Sequence, residues 1–131
     1  VPDAIGRIDA LVRSLPFPPL FPIEVRASAG DDIPLSTANG RASGWIAVHQ
    51  YIGAPYESYF QGVEQIMNDY AGRPHWGKLH FQSAATLASR YPEWEGFQQT
   101  RGVLDPSGTF ANAYTDRVLG PTVAAAAQPE A

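Results

Sequence analysis

A chain of 131 residues has the length of one domain, and its hydrophobic content of 44% is enough to fill a core. The net charge of −4 comes without a basic patch, which argues against a nucleic-acid partner, and the lack of cysteine excludes disulfides, thiolate metal sites and cysteine nucleophiles. No apolar run reaches the roughly 20 residues of a membrane span and no signal peptide is recognisable, so we expect a cytoplasmic protein. Because the chain starts at Val1 and its only Met is Met67, we expect a fragment or a processed piece.

The first part of the chain predicts one helix and two strands. Residues 3–15 place apolar side chains at helical spacing, and the prolines that follow end the helix. Residues 21–28 alternate apolar and charged side chains with the period of a strand, and residues 44–52 carry the clearest strand pattern of the chain. Between these strands, residues 29–43 are rich in Gly, Asp, Ser and Asn and predict a long connection.

The middle of the chain predicts a helix that is followed directly by a third strand. Residues 56–71 carry an apolar stripe typical of an amphipathic helix, and Gly72 stands where a C-terminal cap is expected. We interpret residues 73–81 as a strand. Ser83 then caps a short helix that we expect to run to about Arg90.

The last part of the chain predicts further helices and a tail. Pro92 is placed to open a helix that runs through Leu104, because proline is tolerated in the first helical turn. The Asp-Pro-Ser-Gly sequence at residues 105–108 signals a tight turn, and the stretch 109–119 carries aromatic side chains up to a glycine. Residues 121–131 have the composition of a disordered tail.

The order of these elements favours an α+β fold, with a small antiparallel sheet and helices packed on one face. The opposite face of the sheet is then free, and the strand periods place a mixture of charged and aromatic side chains on it. These side chains are Glu24, Arg26, Trp45, His49, Tyr51 and Lys78. Such a face needs a cover, which could be another domain, a partner chain or a ligand.

Residues 73–80 combine two histidines, a tryptophan and a lysine, a mixture typical of a pocket wall. His75 and His80 do not predict a metal site, because no third ligand stands at a matching spacing. A serine hydrolase is also disfavoured, since the chain has no Gly-x-Ser-x-Gly motif.

Four segments together resemble the C-terminal part of the FAD-linked sugar-alcohol and aldonolactone oxidases of the vanillyl-alcohol oxidase superfamily. More narrowly, the chain is similar to alditol (xylitol) oxidases and to the oxidases and dehydrogenases of gulonolactone and D-arabinono-1,4-lactone. The match runs from about residue 20 to residue 120, and its motifs are specific in combination. The segments are Ile-Glu-Val-Arg at 23–26, Ala-Val-His-Gln-Tyr at 47–51, Gly-Arg-Pro-His-Trp-Gly-Lys-Leu-His at 72–80, and the stretch 104–120 that begins Leu-Asp-Pro-Ser-Gly.

The resemblance implies a two-domain flavoenzyme that oxidises a CH–OH group of a polyol or lactone by hydride transfer to FAD. Residues 1–104 would be part of a cap domain over the substrate, and residues 105–120 would return to the flavin domain. FAD would be bound mainly by an N-terminal domain absent from this chain, so the chain alone is expected to be inactive. Whether it forms a homo-oligomer stays open. The alternative is a stand-alone α+β domain that binds a small ligand or a protein without catalysis.

The same resemblance assigns roles around the substrate. Lys78 would polarise the reacting hydroxyl, while Arg26 would bind a substrate oxygen and face the charge of the reduced flavin. Glu24 could accept hydrogen bonds from substrate hydroxyls or only hold Arg26, and the two could also be an ordinary surface pair. His49 is a candidate base or hydroxyl ligand, or a structural strand histidine. Tyr51 stands where some alditol oxidases carry a small hydroxyl residue, and would shape the substrate pocket.

A second set of residues is assigned to the cofactor. His75, Trp76 and Lys78 would contact the flavin, although His75 and Trp76 could instead be core residues. Asn112 and Tyr114 would reach back to the flavin or its domain, or else belong to a structural tail.

Overall fold

The computed structural model describes residues 1–123, which form a β-hairpin and five α-helices in an α+β arrangement. A single 3₁₀ turn, Ala88–Arg90, follows α3. No helix within this part of the chain combines the length and the apolar character needed to cross a membrane. The elements are α1 (Pro2–Ser14), β1 (Glu24–Ser28), β2 (Ser43–Ala47), α2 (Glu57–Asn68), α3 (Ala84–Leu87), α4 (Trp94–Leu104) and α5 (Ala113–Leu119).

The two strands pair antiparallel, with Glu24 opposite Ala47 and Arg26 opposite Trp45. Partners that lie directly opposite each other point to the same face of a sheet, so Glu24, Arg26 and Trp45 share one face as predicted. Ile46 lies on the other face and packs against helices α1 and α2. The prediction that helices cover one face of a small antiparallel sheet is therefore confirmed.

Helices α1 and α2 and the hairpin enclose a first core, which we call the N-terminal core. Its buried side chains are Ile8, Tyr59 and Val63, and Ile46 packs against them from β2. Ile8 belongs to the apolar side chains at helical spacing that predicted an amphipathic helix over residues 3–15. Tyr59 and Val63 belong to the apolar stripe that predicted α2. The hydrophobic pattern therefore correctly identified both helices.

The predicted strand at 73–81 is wrong: among the described residues the sheet has two strands. Residues 73–75 run without regular structure into a turn at Trp76 and Gly77, where the Lys78 amide donates to the His75 carbonyl at 3.1 Å. Pro74 has no N–H to give to a ladder, and this turn folds the chain back where a strand would continue. Lys78 therefore lies on a loop rather than on the sheet face.

The other strands are shorter than predicted, and the long helix ends earlier. β1 starts at Glu24 and β2 stops at Ala47, so His49 and Tyr51 follow the sheet in irregular chain. Helix α2 stops at Asn68, three residues before the predicted end. Ala71, with φ of +49°, takes the left-handed conformation expected of Gly72. The Gly72 amide donates to the Met67 carbonyl at 2.8 Å, which caps the end of the helix.

The C-terminal helices form a second core, the C-terminal core, around the buried side chains Leu87, Tyr91, Trp94 and Val118. Ser83 caps α3 in a capping box, and the predicted turn at 105–108 closes with a Gly108 amide to Asp105 carbonyl bond of 3.1 Å. The predicted boundary at residue 104, between the cap domain and the segment that returns to the flavin domain, stays a prediction. In the structure, Val118 lies beyond this boundary but packs in the same core as Leu87, which lies before it. The tail predicted at 121–131 falls mostly beyond residue 123, outside the described residues.

Candidate functional site

A cavity of about 930 Å³ lies against the hairpin, helix α2 and the loop around residues 72–82. Its wall brings together five of the residues that the sequence assigned to a site, although they come from β1, from the irregular chain after β2 and from a distant loop. These five are Glu24, Arg26, His49, His75 and Lys78. Apolar side chains of α2, including Phe60 and Met67, complete the lining. A concave surface that is mainly apolar and carries a few convergent polar groups has the character of a small-molecule site.

Glu24 and Arg26 form an ion pair on the exposed face of β1. The Arg26 Nε lies 2.9 Å from Glu24 Oε1, and a second guanidinium nitrogen donates to the same oxygen. Both side chains keep substantial exposure, 70% for Arg26 and 44% for Glu24. Residues two apart on a strand share a face, so this contact follows directly from the local sequence. The second oxygen of Glu24 makes no hydrogen bond among residues 1–123 and so remains available as an acceptor.

Lys78 lies at the end of the turn that begins at His75. The Gly77 amide donates to His75 Nδ1 at 3.0 Å and the Lys78 amide donates to the His75 carbonyl, so the backbone is tightly held. In a neutral imidazole this places the proton of His75 on Nε2. The Lys78 side chain is exposed, and its ammonium has no acceptor or carboxylate partner among residues 1–123. Lys78 therefore brings an uncompensated positive charge to the cavity wall.

His49 and Tyr51 separate in the structure. His49 is exposed and lines the cavity, with its ring 6.2 Å from that of Phe21. Tyr51 is outside the lining, and its ring packs 4.5 Å from the same Phe21 ring. The cavity therefore contains the four residues predicted to be catalytic without the fifth one predicted for substrate binding.

Trp76, Asn112 and Tyr114 also lie away from this cavity. The Trp76 indole N–H donates to the Leu35 carbonyl at 2.9 Å, and its ring stacks on Tyr91 at 5.3 Å in the C-terminal core. Asn112 accepts the amides of the first turn of α5 and caps that helix. Trp76 and Tyr114 line a smaller cavity of about 430 Å³ next to Val118. Their assignment to the cofactor stays a prediction.

His80 lines the first cavity, in line with the pocket wall predicted for residues 73–80, although sequence reasoning assigned it no role in the site. It is 7% exposed, and its Nε2 lies 3.1 Å from the Tyr114 hydroxyl. Burial lowers the pKa of His80, and the charge of Arg117 adds to this effect while Glu64 opposes it. Within the described residues, no three His, Cys, Asp or Glu side chains could jointly hold a metal ion.

Comparison with known proteins places these features in a family. The profile of the family described as D-arabinono-1,4-lactone oxidase matches residues 1–118. The chain is 60% identical over 119 residues to L-gulono-1,4-lactone dehydrogenase of Mycobacterium tuberculosis, covering 91% of this chain and 28% of that protein.

Two further relatives are more distant. L-gulonolactone oxidase of Mus musculus is 36% identical over 103 residues, which is 76% of this chain and 23% of that protein. Alditol oxidase of a Streptomyces species is 35% identical over 120 residues, covering 89% of this chain and 28% of that protein. The chain thus spans about a quarter of the length of these relatives.

Proposed function

Because the chain belongs to the D-arabinono-1,4-lactone oxidase family, we propose that it forms the substrate-facing part of an FAD-dependent oxidoreductase. The substrate would be a polyol or an aldonolactone, oxidised at a CH–OH carbon. The names of the relatives, a lactone dehydrogenase and an alditol oxidase among them, support this substrate class. The activity is proposed for the complete protein, in which an N-terminal FAD-binding part would supply what this chain lacks.

The observation that carries the proposal is the free ammonium of Lys78 in the same cavity wall as Glu24, Arg26 and His49. A polyol or lactone offers many hydroxyl and carbonyl oxygens, and binding it requires several donors and acceptors around one space. The Lys78 ammonium donates, the free oxygen of Glu24 accepts, and the imidazole of His49 can do either. The wall therefore offers complementary groups to a substrate rich in hydroxyls.

The wall also suits one side of a flavin ring, judged by its donor set. His75 presents an Nε2–H and Lys78 an unpaired ammonium, and both would stabilise an electron-rich ring. When bound, FAD supplies the two-electron acceptor for the oxidation. We propose that His75 and Lys78 hold the ring from this side. The direct contacts predicted for Trp76, Asn112 and Tyr114 are a weaker part of the proposal, because hydrogen-bonding atoms of all three already serve contacts within the chain.

Each residue then has a defined task at the reacting hydroxyl. Lys78 Nζ donates a hydrogen bond to the hydroxyl oxygen, which stabilises negative charge as the O–H proton departs. His49, as a neutral imidazole, accepts that proton. Arg26, held in orientation by Glu24, binds a neighbouring substrate oxygen. Tyr51, which lies outside the cavity lining, is proposed to shape the substrate pocket.

The test is Lys78→Met in the complete protein, flavin-binding part included. We expect turnover of an aldonolactone or alditol to fall by about 10²–10³-fold, the usual cost of removing one charge-stabilising donor. Visible flavin absorbance should stay the same, because most of the cofactor would be bound elsewhere. Arg13→Met is the control, since Arg13 makes only an exposed pair with Asp9 on α1.

Two outcomes would contradict the proposal. Turnover that survives in Lys78→Met would remove Lys78 from the mechanism. A complete protein that folds without flavin and oxidises neither substrate class would favour the alternative of a binding domain without catalysis.

A further inference from the structure

The hydroxyl of Tyr114 contacts both ends of the loop that carries Lys78. It donates to the backbone carbonyl of Trp76, two residues before Lys78, and lies 3.1 Å from His80 Nε2, two residues after it. Tyr114 itself is at the start of α5, far along the chain from the loop. One phenolic hydroxyl thus bridges the two ends of the five-residue segment 76–80, an arrangement that we call the Tyr114 clasp.

The protons of the clasp can be assigned from its partners. The Trp76 carbonyl can only accept, so the Tyr114 O–H proton points to it. The Tyr114 oxygen must then accept from His80, which places the His80 proton on Nε2 and a lone pair on Nδ1. His80 Nδ1 is buried without a partner among the described residues, in agreement with this tautomer. Burial also lowers the pKa of His80, which favours the neutral form of the ring.

The clasp is mounted on a rigid support. Asn112 caps α5 through bonds of 2.9 and 3.0 Å to the amides of Tyr114 and Thr115. Val118 anchors the same helix in the C-terminal core at 1% exposure. Arg117 also binds the carbonyl of Gln82, just beyond the loop. A helix held at three points can fix the geometry of a loop that it touches.

We propose that Tyr114 and His80 are positioning residues that fix the backbone of Lys78 in the cavity wall. Neither side chain has to touch the substrate for this role. Its catalytic consequence rests on the proposed function, in which the Lys78 ammonium must sit at a defined place. The positioning itself is a property of this chain and can be measured without activity.

The sequence allows an unusually direct test, because Lys78 is the sole lysine and Met67 the sole methionine of the 131 residues. A chain labelled with ¹⁵N-lysine and ¹⁵N-methionine gives one backbone amide signal in the loop and one in α2. The Lys78 amide is hydrogen-bonded to the His75 carbonyl, so its hydrogen-exchange rate reports on the order of the loop. The Met67 amide reports on the stability of the rest of the fold.

We expect Tyr114→Phe to speed exchange at Lys78 by about fivefold, the factor that corresponds to the loss of one ordinary hydrogen bond. Exchange at Met67 should not change. His80→Gln, which keeps a donor N–H at similar reach, should retain slow exchange at Lys78, while His80→Leu should not. Tyr56→Phe is the matched control, because the Tyr56 hydroxyl makes no hydrogen bond among residues 1–123 and lies outside both cavities.

Unchanged exchange at Lys78 in Tyr114→Phe would overturn the proposal, and so would an equal rise at Lys78 and Met67. If Tyr114→Phe does not fold, the ¹⁵N shifts of the His80 ring in the unaltered chain decide. A proton on Nε2 supports the clasp, and a proton on Nδ1 excludes it. Since these measurements are independent of turnover, failure of the clasp and failure of the proposed activity are separate results.

Discussion

At the scale of single residues, Tyr91 is the clearest case of burial changing the chemistry of a side chain. It is 2% exposed between the rings of Trp76 and Trp94, and its hydroxyl has no hydrogen-bond partner among residues 1–123. Burial raises its pKa from the ordinary value of 10.0 to about 12, although the nearby Arg73 opposes the rise. The folded state therefore holds the proton more tightly than the unfolded chain, and its stability depends on that proton.

The raised pKa of Tyr91 predicts that the free energy of unfolding falls at alkaline pH. The contribution of Tyr91 is fully present below about pH 10 and is lost as the pH rises toward about 12. A rise of about two pKa units corresponds to about 2–3 kcal/mol of unfolding free energy. We expect Tyr91→Phe to remove most of this loss, measured by urea unfolding at neutral and alkaline pH. Tyr56→Phe should keep the alkaline loss, and an identical loss in Tyr91→Phe would contradict the argument.

At the scale of elements, the end of helix α2 shows how a close contact can require glycine. A Cβ on Gly72 would lie 2.8 Å from the Met67 carbonyl oxygen, which accepts the Gly72 amide itself. Gly6, inside α1, has no atom within 4 Å of an added Cβ. We expect Gly72→Ala to lower the unfolding free energy by about 1–3 kcal/mol through this clash, and Gly6→Ala to raise it by about 0.5–1 kcal/mol. Thermal or urea unfolding of both variants measures the opposite signs, and a neutral Gly72→Ala would show that the helix end can relax.

The same scale separates what the sequence could and could not predict. The apolar stripes that include Ile8 and Tyr59 are local periodicities, so α1 and α2 were identified together with their buried faces. The loop around Trp76 was mistaken for a strand, and one of its contacts is an indole bond to the Leu35 carbonyl, 41 residues away in sequence. No local pattern contains that contact, and a period of two in a short segment does not distinguish a strand from an extended loop.

The candidate site also contains residues that the local sequence could predict and residues that only the fold brings together. Glu24 and Arg26 were placed together correctly, since residues two apart on a strand share a face. Strand periods predicted that His49 and Lys78 would lie beside them, and both do line the same cavity, but they reach it from irregular segments rather than from strands. The clasp between Tyr114 and His80 joins residues 34 positions apart, and it became visible only when the fold brought α5 against the loop.

At the scale of the whole molecule, the two cores are joined by polar contacts through Arg90. Its guanidinium binds the Asn68 side chain at 2.8 Å and the Gly72 carbonyl, both at the end of α2. The backbone carbonyl of Arg90 accepts a hydrogen bond from Arg73 Nε at 2.7 Å. Another nitrogen of the Arg73 guanidinium donates to the Asn39 carbonyl at the same distance. Hydrogen bonds of Arg90 and Arg73 therefore link the end of α2 to the segment that leads into the C-terminal core.

This arrangement predicts that the cooperativity of unfolding is carried by Arg90. Its bonds to α2 involve a charged donor, and such bonds are worth about 1.5–3 kcal/mol each. In Arg90→Met we expect the two cores to unfold at different urea concentrations, with the Met67 signal reporting the N-terminal core and the indole signals of Trp76 and Trp94 the C-terminal core. In the unaltered chain and in Arg13→Met, the signals should change together. Coincident transitions in Arg90→Met would mean that the remaining contacts, the Arg73 hydrogen bonds among them, couple the cores without the Arg90 guanidinium.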